Sequence, residues 1–473
     1  MANPEQFDAI VIGSGQGGNS LARALAKAGK RTAVIEREHV GGTCVNEGCT
    51  PTKTMVASGR VAYLARRGAD FGVNCGAVDR EPITIDMVKI RERKRAIVKS
   101  FREGNERGLK ETDCDALIMG EASFAGPKLV RVDCNQDGKS GGGERLLTAE
   151  LIFINTGLRS AVPKIDGIAD VPYLDNRSVM ELGEVPRHLA VVGGGYIGLE
   201  FGQLFRRLGS AVTIIQSGKQ LLPREDEDVA EEVRKILEQD GIEVLLNASA
   251  QTVRREGDGI ALAVKMAEGE RVASGSHLLV AVGRIPNTDR LNLDAAGIDV
   301  DEHGFIRVNE YLETNVSGIY AIGDVKGGPA FTHISYDDYR VAVANVLEGK
   351  RVSIAGRIVP YTVFIDPQLG GIGLTEREAR AQGKKIRVAK MAATSIARAL
   401  ESDEARGFLK VIVDAETEQI LGAAMLAVEG GEMASMIQIA MMGKLPYTAL
   451  RDAIWSHPTW SEALNNVFFN FED

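Results

Sequence analysis

One glycine pattern occurs twice in this 473-residue chain, at an offset of 180 residues. Gly13, Gly15, Gly18 and Gly29 recur as Gly193, Gly195, Gly198 and Gly209. The surroundings recur as well. In the first copy the apolar run 7–12 leads into the glycine turn, a helical pattern follows to Ala28, and residues 32–35 form a second strand ending in Glu36. In the second copy residues 189–192, the turn, a helical pattern to Leu208 and residues 212–215 follow in the same order. Strand, glycine turn, helix and strand make the dinucleotide-binding fingerprint. Gly13 permits the tight turn, Gly15 lets backbone amides reach a pyrophosphate, and Gly18 lets the helix pack on the strand; Gly193, Gly195 and Gly198 repeat these roles. The helix N-terminus adds unpaired N–H groups and the positive end of a dipole. Two unrelated structural turns are the plainer alternative, but both copies meet the same contextual test.

The copies differ at the end of the second strand. Glu36, 18 residues beyond Gly18, is an acid suited to ribose hydroxyls, whereas its counterpart at the 180-residue offset is Gln216. An acid repels a ribose 2′-phosphate and a neutral amide does not. Lys219 and Arg224 follow closely as cations for such a phosphate, or as solvated surface charges. The second turn therefore leans towards NADPH, with NADH left open.

Between the copies lies a cysteine pair. Cys44 and Cys49 flank four residues that include Gly48, and Pro51 suits the first turn of a helix. Cys49 thus falls near a helix N-terminus, where the dipole favours the reactive thiolate. Residues 1–7 carry no basic start or apolar core of a signal peptide, and no apolar run reaches the length of a membrane span. These features lead us to expect a cytoplasmic protein, and in a reducing compartment a close pair is redox-active or metal-binding sooner than structural. Cys75, Cys114 and Cys134 are isolated thiols, so no metal site is expected. A net charge of -9 without a basic run argues against nucleic acid and membrane as partners.

Together these motifs resemble the FAD-dependent pyridine nucleotide-disulfide oxidoreductases, the family of dihydrolipoamide dehydrogenase, glutathione reductase and mercuric reductase. The resemblance spans nearly the whole chain, and the Gly-Gly-Thr-Cys-Val-Asn wording at 41–46 is nearest the mercuric reductase-like branch. It implies α/β architecture: two Rossmann-like dinucleotide-binding domains with parallel sheets, plus a C-terminal mixed α/β dimerisation domain. The expected boundaries are 1–155 and 282–350 for the FAD domain, 156–281 for the NAD(P) domain and 351–473 for the interface domain. FAD would sit on the first turn and NAD(P)H on the second. Gly42 and Thr43, Thr156 and Gly157, Gly283 and Arg284, and Gly323 with Asp324 match cofactor segments, Asp324 towards the ribityl chain. Asn155 stands where the family usually has alanine.

The resemblance also implies residue roles. Lys53 and Glu200 would form an ion pair beside the flavin, and Tyr196 would cover the ring until the nicotinamide displaces it. Cys49 would be the sulfur nearest the ring and Cys44 the one that meets substrate. His457, in His-Pro-Thr-x-x-Glu with Glu462 as its orienting carboxylate, would be the proton-transfer base in the other subunit of a homodimer. The expected activity is NAD(P)H:disulfide (dithiol) oxidoreduction through FAD and the Cys44–Cys49 disulfide, on a small-molecule or protein substrate. The alternative is reduction of a soft metal ion, mercuric or cupric, although no cysteine follows Cys134 to deliver one. A flavin-bound redox sensor, whose cysteines switch partner affinity without turnover, is a third reading from another class.

Overall fold

The structure is a computed structural model describing residues 3–73, 83–112, 116–134 and 143–472. Cys75 and Cys114 lie outside the described residues. The chain divides into two compact units, Met1–Thr54 with Glu92–Ala161 and Gly283–Arg357, and Met55–Arg91 with Val162–Val282 and Ile358–Asp473.

In the first unit the strand Glu5–Ile12 is the organising element. Ala9, Ile10 and Val11 are wholly buried, apolar on both faces, as befits a strand covered on both sides of a parallel sheet. It pairs in parallel with Thr32–Glu36 on one side and Gly143–Ile154 on the other, with Ile319–Ala321 parallel beyond. Leu129–Cys134 runs antiparallel between Ala116–Gly126 and Gly143–Ile154. The helix Gln16–Lys27 buries Leu21, Ala22 and Leu25 against this sheet, alongside the helix Thr332–Val346.

The second unit contains a four-stranded parallel sheet in the order His277–Val280, His188–Val192, Ala211–Ile215, Glu243–Leu245. A three-stranded antiparallel sheet, Ser249–Glu256, Gly259–Met266 and Gly269–Gly275, accompanies it. The C-terminal part is a five-stranded antiparallel sheet of Pro360–Val363, Gln368–Gly373, Ile420–Ala427, Phe408–Asp414 and Ile386–Ala392, with the helix Gly430–Met442 packed on it. Parallel nucleotide-type sheets and a C-terminal α/β body are the expected fold class. Among the described residues no helix is long and apolar enough to cross a membrane.

A buried cation ties the C-terminal sheet to the nucleotide-type part of this unit. The Lys410 side chain is 2% exposed, and its ammonium lies 3.1 Å from Asp226, 3.0 Å from Asp228 and 2.8 Å from Glu376. Taking a charge out of water costs several kcal/mol unless it is paired and hydrogen-bonded, and three carboxylates meet that need here. Asp226 also caps a second element, accepting from the amides of Glu376 and Arg377.

Candidate active site

Each glycine turn is built by close backbone approach. At φ +96° Gly13 lies in the region that favours glycine, and a Cβ there would stand 2.4 Å from the Asn155 carbonyl oxygen. Gly193, at φ +120°, would meet the Ala281 carbonyl at 2.3 Å. Both helices that follow start without a side-chain cap, at Gly15 and Gly195, the arrangement in which a helix N-terminus can receive a phosphate. The second-strand residues close both turns from the side. Glu36 accepts from the Ser14 amide at 3.1 Å and its hydroxyl at 2.7 Å, while the side-chain Oε1 of Gln216 accepts from the Gly194 amide at 2.9 Å.

The residues around the first turn fit FAD. The Thr156 hydroxyl is buried with no hydrogen-bond partner, an uncompensated donor beside the turn that a ligand would satisfy. Open space surrounds the adjacent Gly157. Asp324 follows Gly323 at the end of the strand Ile319–Ala321; burial holds its carboxyl above the usual range against the pull of Arg284, 3.4 Å away, and Lys326. Arg284 also donates to the Ala330 carbonyl.

Three supporting residues were not legible as such in the sequence. Asn155 is buried, its side-chain Nδ2 donating to the Gly13 carbonyl at 3.2 Å. A Cβ on Gly323 would stand 2.9 Å from the Asn155 oxygen, so one side chain packs against both FAD-type segments. Asp338 is wholly buried and accepts from the Gly323 amide at 2.8 Å, with Lys326 and Arg357 as counter-ions, and so holds the turn that presents Asp324. Ser335 accepts from the Gly17 amide at 3.2 Å. Their signal lies in pairings across long sequence separations rather than in any local motif.

The cysteine loop approaches the first turn from its own glycines. Gly42, at φ +63°, would place a Cβ 2.6 Å from the Gly15 Cα, so only glycine brings the loop this close. Cys44 lies in the short helix Gly42–Asn46 with Thr43, and Cys49 opens the 18-residue helix Cys49–Arg66. Between them a Cβ on Gly48 would stand 2.9 Å from the Thr43 carbonyl. The two sulfurs are hydrogen-bonded to each other; that bond, and then burial, pushes the Cys44 thiol far above its ordinary value. Thr332 Oγ1 lies 3.3 Å from Cys49 Sγ. Lys53 stands one turn further along the Cys49 helix. Cys134 is a separate buried thiol, raised by that burial.

The remaining expected residues lie in the second unit. Tyr196 is the first residue of the helix Tyr196–Leu208 and is half-buried on its core. Glu200, in the same helix and 3% exposed, accepts from the Phe364 amide at 2.9 Å. Lys219 pairs with Glu227 at the surface, and Arg224 is exposed. His457 and Glu462 do meet: Nδ1 lies 3.0 and 2.9 Å from the two carboxylate oxygens, and the imidazole is exposed.

Two glycine turns on parallel sheets, one with a contacting thiol pair beside it, define a dinucleotide-dependent oxidoreductase. Comparison with known proteins supplies the family. The pyridine nucleotide-disulphide oxidoreductase model matches residues 7–338, and the dimerisation domain of the same family matches residues 359–468. The chain therefore belongs to the pyridine nucleotide-disulphide oxidoreductases, flavoprotein enzymes that use FAD and NAD(P)H and act on sulfur groups. It is 38% identical to the probable pyridine nucleotide-disulfide oxidoreductase RclA of Escherichia coli, over 98% of this chain and 99% of that one. Mercuric reductase of Bacillus cereus is 33% identical over 98% of this chain and 72% of its own length. Dihydrolipoyl dehydrogenase of Haloferax volcanii is 34% identical, covering 96% and 94%. The solved Cu(II) complex of the HOCl-induced flavoprotein disulfide reductase RclA from Escherichia coli superposes with a TM-score of 0.87 at 37% identity, covering 98% and 99%. The matched dimerisation domain supports a homodimer.

Proposed function

We propose that the chain is an NAD(P)H:disulfide oxidoreductase in which Cys44 and Cys49 alternate between disulfide and dithiol. The observation that carries this reading is the hydrogen-bonded contact of the two sulfurs at the start of a helix, beside the first glycine turn. Bound FAD supplies the relay that takes a hydride from the nicotinamide and passes an electron pair on. The first turn, with Glu36, Thr156, Gly157, Gly283, Arg284, Gly323 and Asp324, holds that cofactor. The second turn, with Gln216 at its strand end, holds the nicotinamide nucleotide, and Tyr196 covers its position between turnovers. Lys53 and Glu200 supply the charges on the reacting side.

The balance is simple. NAD(P)H, a proton and a substrate disulfide become NAD(P)+ and two thiols. Cys44 attacks the substrate disulfide and forms a mixed disulfide; Cys49 then attacks Cys44, closing the pair and releasing the second thiol. The raised Cys44 thiol explains the need for a base, since it must lose its proton before it attacks. His457, oriented by Glu462 and acting on the opposite protomer of the homodimer, takes that proton and returns it to the leaving thiolate.

The relatives give a second reading some weight. Mercuric reductases and a Cu(II) complex of the Escherichia coli reductase stand among them. Paired thiolates favour soft cations, and in this reading the metal ion is the substrate. A steady-state panel separates the readings: NADH and NADPH, each with lipoamide, glutathione disulfide, Hg(II) and Cu(II). Turnover of a disulfide that Cys44→Ser abolishes supports the first; turnover of metal ions alone supports the second; none with any acceptor leaves a redox sensor.

A further inference from the structure

Reduction of the pair breaks the S–S bond with two electrons, and a single proton taken up leaves one sulfur charged. We infer that the Thr332 hydroxyl is the fixed donor that places this charge on Cys49. The inference rests on the redox-pair reading above and adds to it a residue that no motif singled out.

Thr332 Oγ1 lies 3.3 Å from Cys49 Sγ, within reach of a hydroxyl-to-sulfur hydrogen bond. Cys44 keeps the proton gained on reduction, because its bond to Cys49 and its burial both oppose ionisation. Cys49 is the more exposed sulfur and the first residue of an 18-residue helix. Thr332 itself opens the 15-residue helix Thr332–Val346, whose N-cap Phe331 contributes no side-chain acceptor. The sulfurs therefore lie near two helix N-termini, each of which favours an anion. Neither first turn contains an acid to oppose it. The other titratable groups in or beside these elements are Cys44, Glu47 two residues before Cys49, Lys53 one turn along the same helix and His333 beside Thr332. A β-branched side chain has few rotamers, so the donor needs little ordering when the charge forms.

The test uses holoenzyme carrying Cys44→Ser, which isolates Cys49. Its thiolate against bound flavin gives a long-wavelength absorbance, and loss of that absorbance on acidification reads the Cys49 pKa. Thr332→Val should raise the midpoint by about one pH unit, the low end for a hydrogen bond to a charged group. Thr332→Ser should restore it to within about 0.3 unit of the parent, since the hydroxyl is kept. Thr332→Ala carries the same expectation as valine and replaces it if valine disturbs flavin binding. Coincident curves for the parent and the hydroxyl-free variants would overturn the inference and leave the redox pair standing. A parent with no such absorbance at any pH would overturn the redox-pair reading, and the inference with it.

Discussion

The two glycine turns share a backbone and differ in what stands behind it. Gly13 donates to the Ile35 carbonyl at 2.8 Å and Gly193 to the Ile215 carbonyl at 2.9 Å. A Cβ on Gly18 would lie 2.1 Å from the Gly13 carbonyl, and one on Gly198 equally close to that of Gly193. The strand paired beside the first in each sheet leaves the same way: the backbone amide of Asn155 donates to the Ile12 carbonyl and that of Ala281 to the Val192 carbonyl, both at 2.8 Å. Behind the first turn, however, Asn155 fills the floor and its amide nitrogen would stand 3.0 Å from a Cβ on Gly15; nothing lies within 4 Å of the same point at Gly195. Ser14 gives Glu36 two hydrogen bonds, whereas Gly194 gives Gln216 one. Backbone geometry is thus common to the two turns, while a few side chains behind it set them apart. The packed turn suits a resident cofactor and the open one an exchanging substrate.

The sharpest way to break this comparison is to block each turn separately. Gly13→Ala and Gly193→Ala both combine a positive φ with a sub-contact Cβ, a strain of roughly 3 kcal/mol or more. Gly13→Ala should yield protein lacking visible flavin absorbance. Gly193→Ala should keep the flavin and lose NAD(P)H oxidation by about 100-fold or more. Loss of flavin from the second variant would show that the turns are not independent.

A smaller effect is expected at the acid position. Gln216→Glu places an anion where the first turn has one, and should lower kcat/KM for NADPH by about tenfold while NADH stays within about threefold. Equal losses with both nucleotides would rule out a 2′-phosphate at this strand end. Asn155→Ala converts the first floor to the alanine of the second and removes one hydrogen bond, about 1 kcal/mol. Flavin release on heating should come a few degrees earlier; an unchanged profile would mean the floor contributes nothing to retention. The smallest change is expected from Lys219→Ala. Its ammonium is exposed and already paired with Glu227, so NADPH should weaken less than about threefold. A larger loss specific to NADPH would make Lys219 a direct phosphate ligand.

Local features were legible in the sequence and crossings were not. The glycine turns, Glu36 against Gln216 and the start of the Cys49 helix all depend on residues within one strand–turn–helix segment, where spacing dictates geometry. His457 and Glu462 are five residues apart, and their contact follows from the same locality. Thr332 lies 283 residues from Cys49, and Asn155 142 residues from Gly13, so no periodicity links them. Asn155 was visible only as an unexplained departure from alanine. Asp338 reads as one more polar residue on a helix until the fold sets it against Gly323. The antiparallel C-terminal sheet carries no motif, because its strands answer to packing rather than to a ligand.

The buried ammonium of Lys410 limits how this chain can exchange parts by recombination. Its three acids come from the start of one helix, Asp226 and Asp228, and from Glu376 in the C-terminal body. A chimera that imports a foreign nucleotide-binding segment lacking those two aspartates would strand a cation away from water, at a cost of about 3–5 kcal/mol. The lysine and its acids must be inherited as a set, or be replaced together by apolar side chains of similar volume.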